Sequence, residues 1–322
     1  MITKFGKTAV LKISGNDSFL LSTEGLRIDF DVRMLQGFNR AKFDIYNLSP
    51  KTISQLSEGD KYVTLEVSLH GGPVEVLIDN MYVNNSVTEK RVPNTITSLY
   101  CVDSLRKDVT SKHISTEISK PSLINIQSKI ATDASKLSTK GGLKFYNHDF
   151  PEGWLTTEPL MPTRTYTGEV GDIINELGEQ YSFASHIKGN VVECAYVPKS
   201  YNIHLSGQVD RGTIMLDTNN MRSNPIIGMA TLQIESNLDT RIEGNSLLDT
   251  SNLVTASTED GFDVLTIVKD HLKSNVSGYA RFLVLSVQHI GSTHTNSWST
   301  KALATRATDG VKVAQYNWFG KE

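Results

Sequence analysis

Hydrophobic and polar positions between residues 224 and 254 alternate in a way that is typical of β-structure. Single polar residues separate Ala230, Leu232 and Ile234, and this period of two places the apolar side chains on one face of a strand. A polar corner follows at residues 237–245, and a short apolar run comes after it. A strand, a polar turn and a second apolar segment predict a corner of a small antiparallel barrel.

The first hundred residues show the same period of two in several separate segments. Ser49 can cap a helix and Pro50 suits its first position, so a short helix is predicted among the strands. About six or seven short strands with one helix predict a barrel or a sandwich. The main predicted strands cover residues 26–33, 41–46, 62–69, 74–78 and 95–102.

The middle of the chain changes from a period of two to helical spacing. After Ser122, a candidate N-cap, apolar residues recur every three or four positions until two glycines end the helix. A polar loop that contains Trp154 is predicted next. A second helix over residues 170–181 leads into a hairpin over residues 183–197. These elements predict a compact α/β module.

Strands return in the last third of the chain. Residues 281–290 are apolar on both faces at their start, which predicts a strand covered on both sides. A last strand is predicted from Trp298 to Ala304. Asp260 could cap a short helix, with a strand as the alternative. The aromatic tail after residue 308 is either a partner-binding arm or a disordered end.

The predicted fold class is α+β, mainly β, with two small antiparallel β-barrels separated by an α/β insert. The predicted domains are an N-terminal β-barrel (1–112), an α/β insert (113–203), a second β-barrel (204–308) and a C-terminal tail (309–322). The two β regions are alike in architecture and share no sequence repeat.

Composition and charge mainly exclude certain classes of function. At 322 residues, with 39% hydrophobic and 21% charged residues, the chain is ordinary for a soluble protein of two or three domains. The net charge of −3 gives no basic field that would attract nucleic acid or anionic lipid. No segment approaches the ~20 apolar residues of a membrane helix, and no signal-peptide pattern begins the chain. We therefore expect folding in the cytosol, no specific nucleic-acid binding and no membrane span.

The two cysteines, Cys101 and Cys194, fall in predicted strands. Free cysteines are usually buried, so the sequence predicts two structural thiols and no disulfide framework. The alternative is a cysteine hydrolase that pairs one thiol with a distant histidine. Neither cysteine opens a helix, where a lowered thiol pKa would be expected, and this favours the structural interpretation.

Motifs with catalytic or metal-binding chemistry are weak. The chain has no P-loop, dinucleotide fingerprint, zinc-protease histidine pair or nucleophile elbow. His289 and His294 are five positions apart without a third ligand, so solvent-facing histidines are expected. Asp149 and Glu152 flank an aromatic loop, but a glycosidase needs two carboxylates at a defined separation across a groove. We therefore expect no enzyme activity, no cofactor and no metal.

One segment of the chain joins a strand to the sequence Ile-Tyr-Asn-Leu-Ser, a short helix, Gly-Asp and another strand. In this arrangement the chain resembles the baseplate hub proteins of tailed phages and of related contractile injection systems. Later segments also fit, and the resemblance extends over most of the chain. The matching segments are residues 30–33, 39–49, 58–60, 167–177, 238–248 and 287–292.

The resemblance implies an architecture rather than a reaction. Hub proteins are trimers in which each subunit contributes two similar barrels, so that six barrels surround a channel. Such a ring adapts a threefold central spike to the sixfold tail tube. The implied partners are two further copies of the chain, the spike protein, and the tail tube or tube-initiator protein, with the tape-measure protein as a further candidate. The implied location is the tail baseplate of a virion, assembled in the host cytoplasm.

The polar corner is the predicted contact with a neighbouring subunit or with the tube. Its candidate residues are Asn237, Asp239, Arg241 and Glu243, joined by Trp318 in the tail. Barrel edges must be paired or covered, and pairing between subunits would satisfy that requirement.

Two other tail functions stay open as alternatives. A cell-wall hydrolase would use a cysteine or the acidic pair at residues 149 and 152. A receptor- or carbohydrate-binding tail protein would need clustered exposed aromatic residues, of which the sequence offers Trp154 and Trp318. The hub is preferred because the three predicted modules account for the chain without a fused lysozyme or peptidase.

Overall fold

A computed structural model gives the structure of the chain. The candidate helix after Asp260, the acidic residue Asp149 and the tail with Trp318 lie outside the residues that it describes. The described residues are 7–15, 20–35, 38–69, 72–105, 109–119, 121–138, 142–148, 150–157, 163–188, 190–197, 213–227, 231–250, 253, 257–258, 281–295 and 298–306.

Strands dominate the described residues, and the predicted class of α+β, mainly β, is confirmed. The helices are α1 (Pro50–Ser57), α2 (Leu123–Ser135) and α3 (Val170–Tyr181), with a 3-10 turn at Thr218–Asn220. The strands are β1 (Lys7–Gly15), β2 (Leu20–Ser22), β3 (Ile28–Leu35), β4 (Phe38–Tyr46), β5 (Lys61–Leu69), β6 (Val74–Arg91), β7 (Asn94–Val102), β8 (His113–Ser119), β9 (Lys144–His148), β10 (Thr163–Glu169), β11 (Phe183–Lys188), β12 (Val191–Tyr196), β13 (Thr213–Met215), β14 (Ile226–Ile227), β15 (Thr231–Asn237), β16 (Leu247–Asp249), β17 (Ser257–Thr258), β18 (Arg281–Ser292) and β19 (Ser299–Arg306).

The first β region, β1 to β7, is an antiparallel array in the order β3-β4-β7-β6-β5-β1-β2. In β3 the side chains of Ile28, Phe30 and Val32 are buried, whereas Asp29 and Asp31 on the other face are partly exposed. The alternation that predicts this strand also specifies its register, because a shift of one residue would expose the apolar set.

β6 is much longer than the predicted return strand over residues 74–78. Its first half pairs with β5 and its second half with β7, and both pairings contain register shifts. The second half is polar and mostly exposed. Because it lacks an apolar face, alternation could not reveal it.

The predicted short helix forms as α1. The Ser49 hydroxyl accepts a hydrogen bond from the Thr52 amide at 3.1 Å, and Pro50 stands at the first helical position. Leu56 is buried and anchors the helix to the core of the first β region. A hydroxyl cap and a proline at the start are thus sufficient signals for a helix of only two turns.

The second β region, β13 to β19, continues the sheet of the first. Its order is β17-β14-β15-β19-β18, β13 and β16 join beside β18, and β18 pairs antiparallel with β3. The described strands of both regions therefore form one hydrogen-bonded sheet, and most of their buried apolar side chains share one hydrophobic cluster. The boundaries of the two barrels and of the insert stay predictions.

A glycine sits at the junction of the two regions. Gly291 lies opposite Phe30 in the β18–β3 pair, and a Cβ added there would lie 2.1 Å from Phe30 Cζ. The Phe30 ring also meets Trp298 edge-on, with 5.6 Å between ring centroids. Trp298 is buried and donates its Nε1 hydrogen to the Ser292 carbonyl at 2.5 Å. Only a residue without a side chain lets Phe30 lie across the junction.

The α/β insert, β8 to β12 with α2 and α3, has its own core. Its three-stranded sheet has the order β11-β12-β9, and β8 pairs with β10. The predicted helices α2 and α3 and the β11–β12 hairpin are confirmed. Ser122 stands at the N-cap of α2, but its side chain makes no capping hydrogen bond.

Three strands of the insert, β8, β9 and β10, were not predicted from the sequence. Thr116 occupies a buried position of β8, so the strand has fewer apolar residues than its burial pattern implies. β10 buries only Tyr166. β9 has five residues and pairs in parallel with β12, far from it in sequence. Polar buried positions and short length remove the period on which a sequence prediction depends.

Candidate functional site

The polar corner is attached first to the last strand of the second β region. Leu238 and Ile242 are buried and anchor the corner to the hydrophobic core. The Leu238 amide donates to the Trp298 carbonyl at 3.1 Å, and the Asp239 amide donates to Thr300 Oγ1 at 2.9 Å. The predicted polar corner is therefore held by buried side chains and by β19.

The same corner contacts the α/β insert. Glu243 forms an ion pair with Lys188 of β11 at 2.8 Å. Asn245 adopts a left-handed backbone, is buried, and donates its Nδ2 hydrogen to the Glu193 carbonyl at 3.1 Å. Gly244 lies directly against the His186 ring. The corner thus forms the polar part of the contact between the insert and the second β region.

Beside these polar contacts lies a small apolar one. Ala195 of the insert packs with Leu247 of β16 and Leu283 of β18, and all three side chains are buried. The face of the insert sheet that carries Ala195 therefore lies on the second β region, while the opposite face packs on the helices.

The corner and the insert both reach the first β region. The Thr240 hydroxyl donates to the Glu75 carboxylate of β6. Asn39 of β4 donates its Nδ2 hydrogen to the Ile187 carbonyl of β11 at 3.0 Å. All three parts of the chain therefore meet around residues 237–245.

The structure divides the predicted contact residues into two groups. Asp239 and Glu243 serve contacts within the chain, since Asp239 holds Arg241 at 2.7 Å and Glu243 holds Lys188. Asn237 is exposed, and the Arg241 side chain is 64% exposed. Trp318 lies outside the described residues. The contact with a subunit or a tube stays a prediction, and Asn237 and Arg241 are the two residues with free surface for it.

Two histidines at the corner were missed or misjudged from the sequence. His289 was expected to face solvent, and this is wrong, because it is fully buried and its Nδ1 lies 2.9 Å from Thr300 Oγ1. His289 lies two positions after the buried Val287 and therefore on the same face of the strand. This spacing could have revealed that the histidine is buried. His186 was not singled out at all, and it is also buried. Burial lowers the pKa of each histidine to about 4.

The fold of the chain is similar to that of solved tail proteins. No protein-family model and no curated protein matches the chain. The 43 kDa tail protein of prophage MuSo2 from Shewanella oneidensis matches 93% of this chain and 97% of its own, with a TM-score of 0.54 and 9% identity. The tail protein from Neisseria meningitidis MC58 matches 92% and 96%, with a TM-score of 0.51 and 11% identity. The chain has the fold of phage tail proteins.

A third structure with the tail-protein fold is the E. coli c3393 protein. It is described as a component of the type VI secretion system, with structural similarity to the T4 bacteriophage tail proteins gp27 and gp5. It matches 94% of this chain and 78% of its own, with a TM-score of 0.50 and 9% identity. The resemblance inferred from sequence phrases is confirmed at the level of the fold.

Within this tail-protein fold, the candidate nucleophiles are inaccessible. Cys101 and Cys194 are both buried free thiols in strands, as predicted, and burial raises the pKa of each. Glu152 is exposed in a turn, and its proposed partner Asp149 lies outside the described residues. Among the described residues no group of three or more histidine, cysteine or acidic side chains could hold a metal ion.

The exposed aromatic residue Trp154 is tied to the insert. It is 38% exposed, donates its Nε1 hydrogen to the Tyr181 carbonyl at 3.2 Å, and packs edge-on against Tyr196.

In the described part of the chain, no helix is both long enough and apolar enough to cross a lipid bilayer.

A shallow groove of about 350 Å³ runs over the solvent-facing side of the β18–β3–β4 junction. Its acidic residues Asp29, Asp31 and Asp44 form ion pairs with basic residues two positions away along the chain. Burial alone would raise the pKa of Asp31, but hydrogen bonds from Arg33 and Gln288 lower it. Paired charges of this kind contribute little to stability and present a nearly neutral surface.

Proposed function

We propose that this chain is a structural subunit of a phage tail baseplate hub in which three copies surround a channel. The observation that carries the proposal is the β18–β3 pair, which joins two β regions of one chain into a single sheet. Each subunit would then bring two β regions to the assembly, and three subunits would bring six. Such a ring can meet a threefold spike on one side and a sixfold tube on the other.

The proposed role is mechanical rather than catalytic. The tail-protein fold and the buried thiols support it. The partners would be two further copies, the central spike protein and the tail tube or tube-initiator protein, with the tape-measure protein as a further candidate. The protein would act in the tail baseplate of the virion after assembly in the host cytoplasm.

The mass of the purified protein in solution tests this proposal. The chain has a mass of 35.6 kDa, and light scattering after size exclusion should give about three times that value. A protein that stays monomeric at high concentration would contradict the hub.

The exposed part of the polar corner is the proposed contact with the neighbouring subunit or tube. We expect Arg241→Glu to weaken the association with the neighbouring subunit or tube by ~100-fold or more, because a reversed charge at an interface costs several kcal/mol. Arg91→Glu is the matched control: both arginines are largely exposed, and both pair with an acidic residue two positions earlier on the chain.

An intact trimer that still binds its tube partner after the Arg241 substitution would remove the corner from the interface. A similar loss in both variants would indicate a general effect of charge rather than a specific contact.

A further inference from the structure

Two buried histidines lie at the polar corner, one in the insert and one in β18. His186 approaches from the insert, and a Cβ added to Gly244 would lie 2.5 Å from its Nδ1. His289 approaches from β18, and its Nδ1 lies 2.9 Å from Thr300 Oγ1. The same hydroxyl accepts the hydrogen bond from the Asp239 amide. Each histidine is thus built into one of the two attachments of the corner.

The environment of His186 favours the neutral ring. The side chain is 4% exposed, and its Nδ1 is buried without a hydrogen bond. Burial lowers the pKa of His186, Glu243 of the corner opposes that shift, and Lys188 on the same strand reinforces it. Glu193 lies across the β11–β12 pair from His186 and is a further charged neighbour. Since Glu243 is already paired with Lys188, it offers an imidazolium little compensation.

The environment of His289 has the same character. Its neighbours across the two strand pairs are Thr300 on β19 and Val32 on β3, and neither carries a charge. Burial lowers the pKa of His289, while the backbone of Ile242 and the carboxylate of Asp239 oppose the shift. Asp239 is held by Arg241 at 2.7 Å, so its charge is largely satisfied elsewhere.

We infer that the polar corner is an acid-responsive joint: protonation of His186 and His289 releases it from β11 and β19 and frees the insert from the second β region. The first β region stays closed, because its β3–β4 and β4–β7 pairs contain neither histidine. The inference concerns contacts within one chain and does not rest on the proposed trimer.

The direction of the pH response follows from the linkage between proton binding and opening of the joint. A histidine whose pKa is lowered in the closed joint takes up a proton on opening, so the closed form is fully favoured above the ordinary pKa of ~6.5 and loses its advantage as the pH falls toward about 4. Between pH 7 and pH 5 this shift raises the opening equilibrium ~20-fold for each histidine.

Hydrogen exchange of the full chain, expressed as protection factors at pH 7 and pH 5, measures the opening. The reporters are the Leu238 and Asp239 amides, which bond the corner to Trp298 and to Thr300 of β19. We expect their protection to fall by ~20-fold or more, while amides of the β3–β4 pair stay within ~2-fold. His186→Gln and His289→Gln should each remove part of the pH response. His113→Gln, at an exposed position of β8, is the matched control and should leave it unchanged.

Equal corner protection at both pH values would overturn the inference, and so would a pH response that survives both substitutions. If a glutamine variant does not fold, the ring titration of the unsubstituted chain decides, with histidines isotopically labelled and observed by NMR. Midpoints of His186 and His289 well below the ordinary ~6.5 support the joint, and midpoints near that value contradict it.

Discussion

Replacing Gly291 by alanine should weaken the junction between the two β regions. The added Cβ would lie 2.1 Å from Phe30 Cζ and 2.3 Å from Phe30 Cε1, well inside van der Waals contact. The ring has little room to move, because Phe30 is 3% exposed and packs edge-on against the buried Trp298. Either the strands separate locally or the ring leaves its position.

The expected cost can be worked from two opposing effects. Overpacking a closed core typically costs ~1–3 kcal/mol, and a rigid aromatic partner places this site at the upper end. Alanine also reduces the conformational entropy of the unfolded chain, and this stabilises the folded state by ~0.5 kcal/mol. We therefore expect Gly291→Ala to lower the free energy of unfolding by ~2 kcal/mol, or more if β18 and β3 part.

Urea unfolding at fixed protein concentration measures this value, since concentration affects the stability of any oligomer. A double-mutant cycle with Phe30→Leu supplies the control. If the clash is the cause, Phe30→Leu should cost at least ~1 kcal/mol less in the Gly291→Ala background than in the original chain. Additive costs, or an alanine variant as stable as the original, would refute the account of the junction.

Three further predictions concern other parts of the fold. Ser49→Ala should cost ~1 kcal/mol because it removes the hydroxyl cap of α1, whereas Ser122→Ala at the same position of α2 should cost less because no capping bond is lost, and urea unfolding compares them. Stability should fall as the pH drops from ~6.5 toward 4, by up to ~3 kcal/mol for each buried corner histidine, and denaturant unfolding at several pH values checks this. Cys101 and Cys194 should resist a thiol reagent until the chain unfolds, and rapid modification of the native protein would contradict their burial.

Local patterns predicted the elements that carry an amphipathic face. Alternation revealed β3, β5 and β7, and helical spacing revealed α2 and α3. Alternation failed to reveal strands in which a buried position is polar, as at Thr116 of β8. A threonine in the core removes the contrast between the two faces of the strand. The buried His289 was misjudged for a related reason, since residue type was given more weight than its position in the alternation.

Pairing between distant segments could not be predicted in the same way. Ile290 pairs with Asp31 across most of the chain, and periodicity states which face is buried without stating which strand lies beside it. The polar corner is the clearest case. Its sequence indicates a turn, but the contacts of Thr240 with Glu75 and of Glu243 with Lys188 depend on where the first β region and the insert lie.

Electron microscopy of the purified protein tests the proposed trimer. We predict particles of three chains around a threefold axis, with six β regions forming a ring around a channel and with the β18–β3 pair inside each subunit. Particles that contain one chain, or copies arranged without a threefold axis, would contradict it.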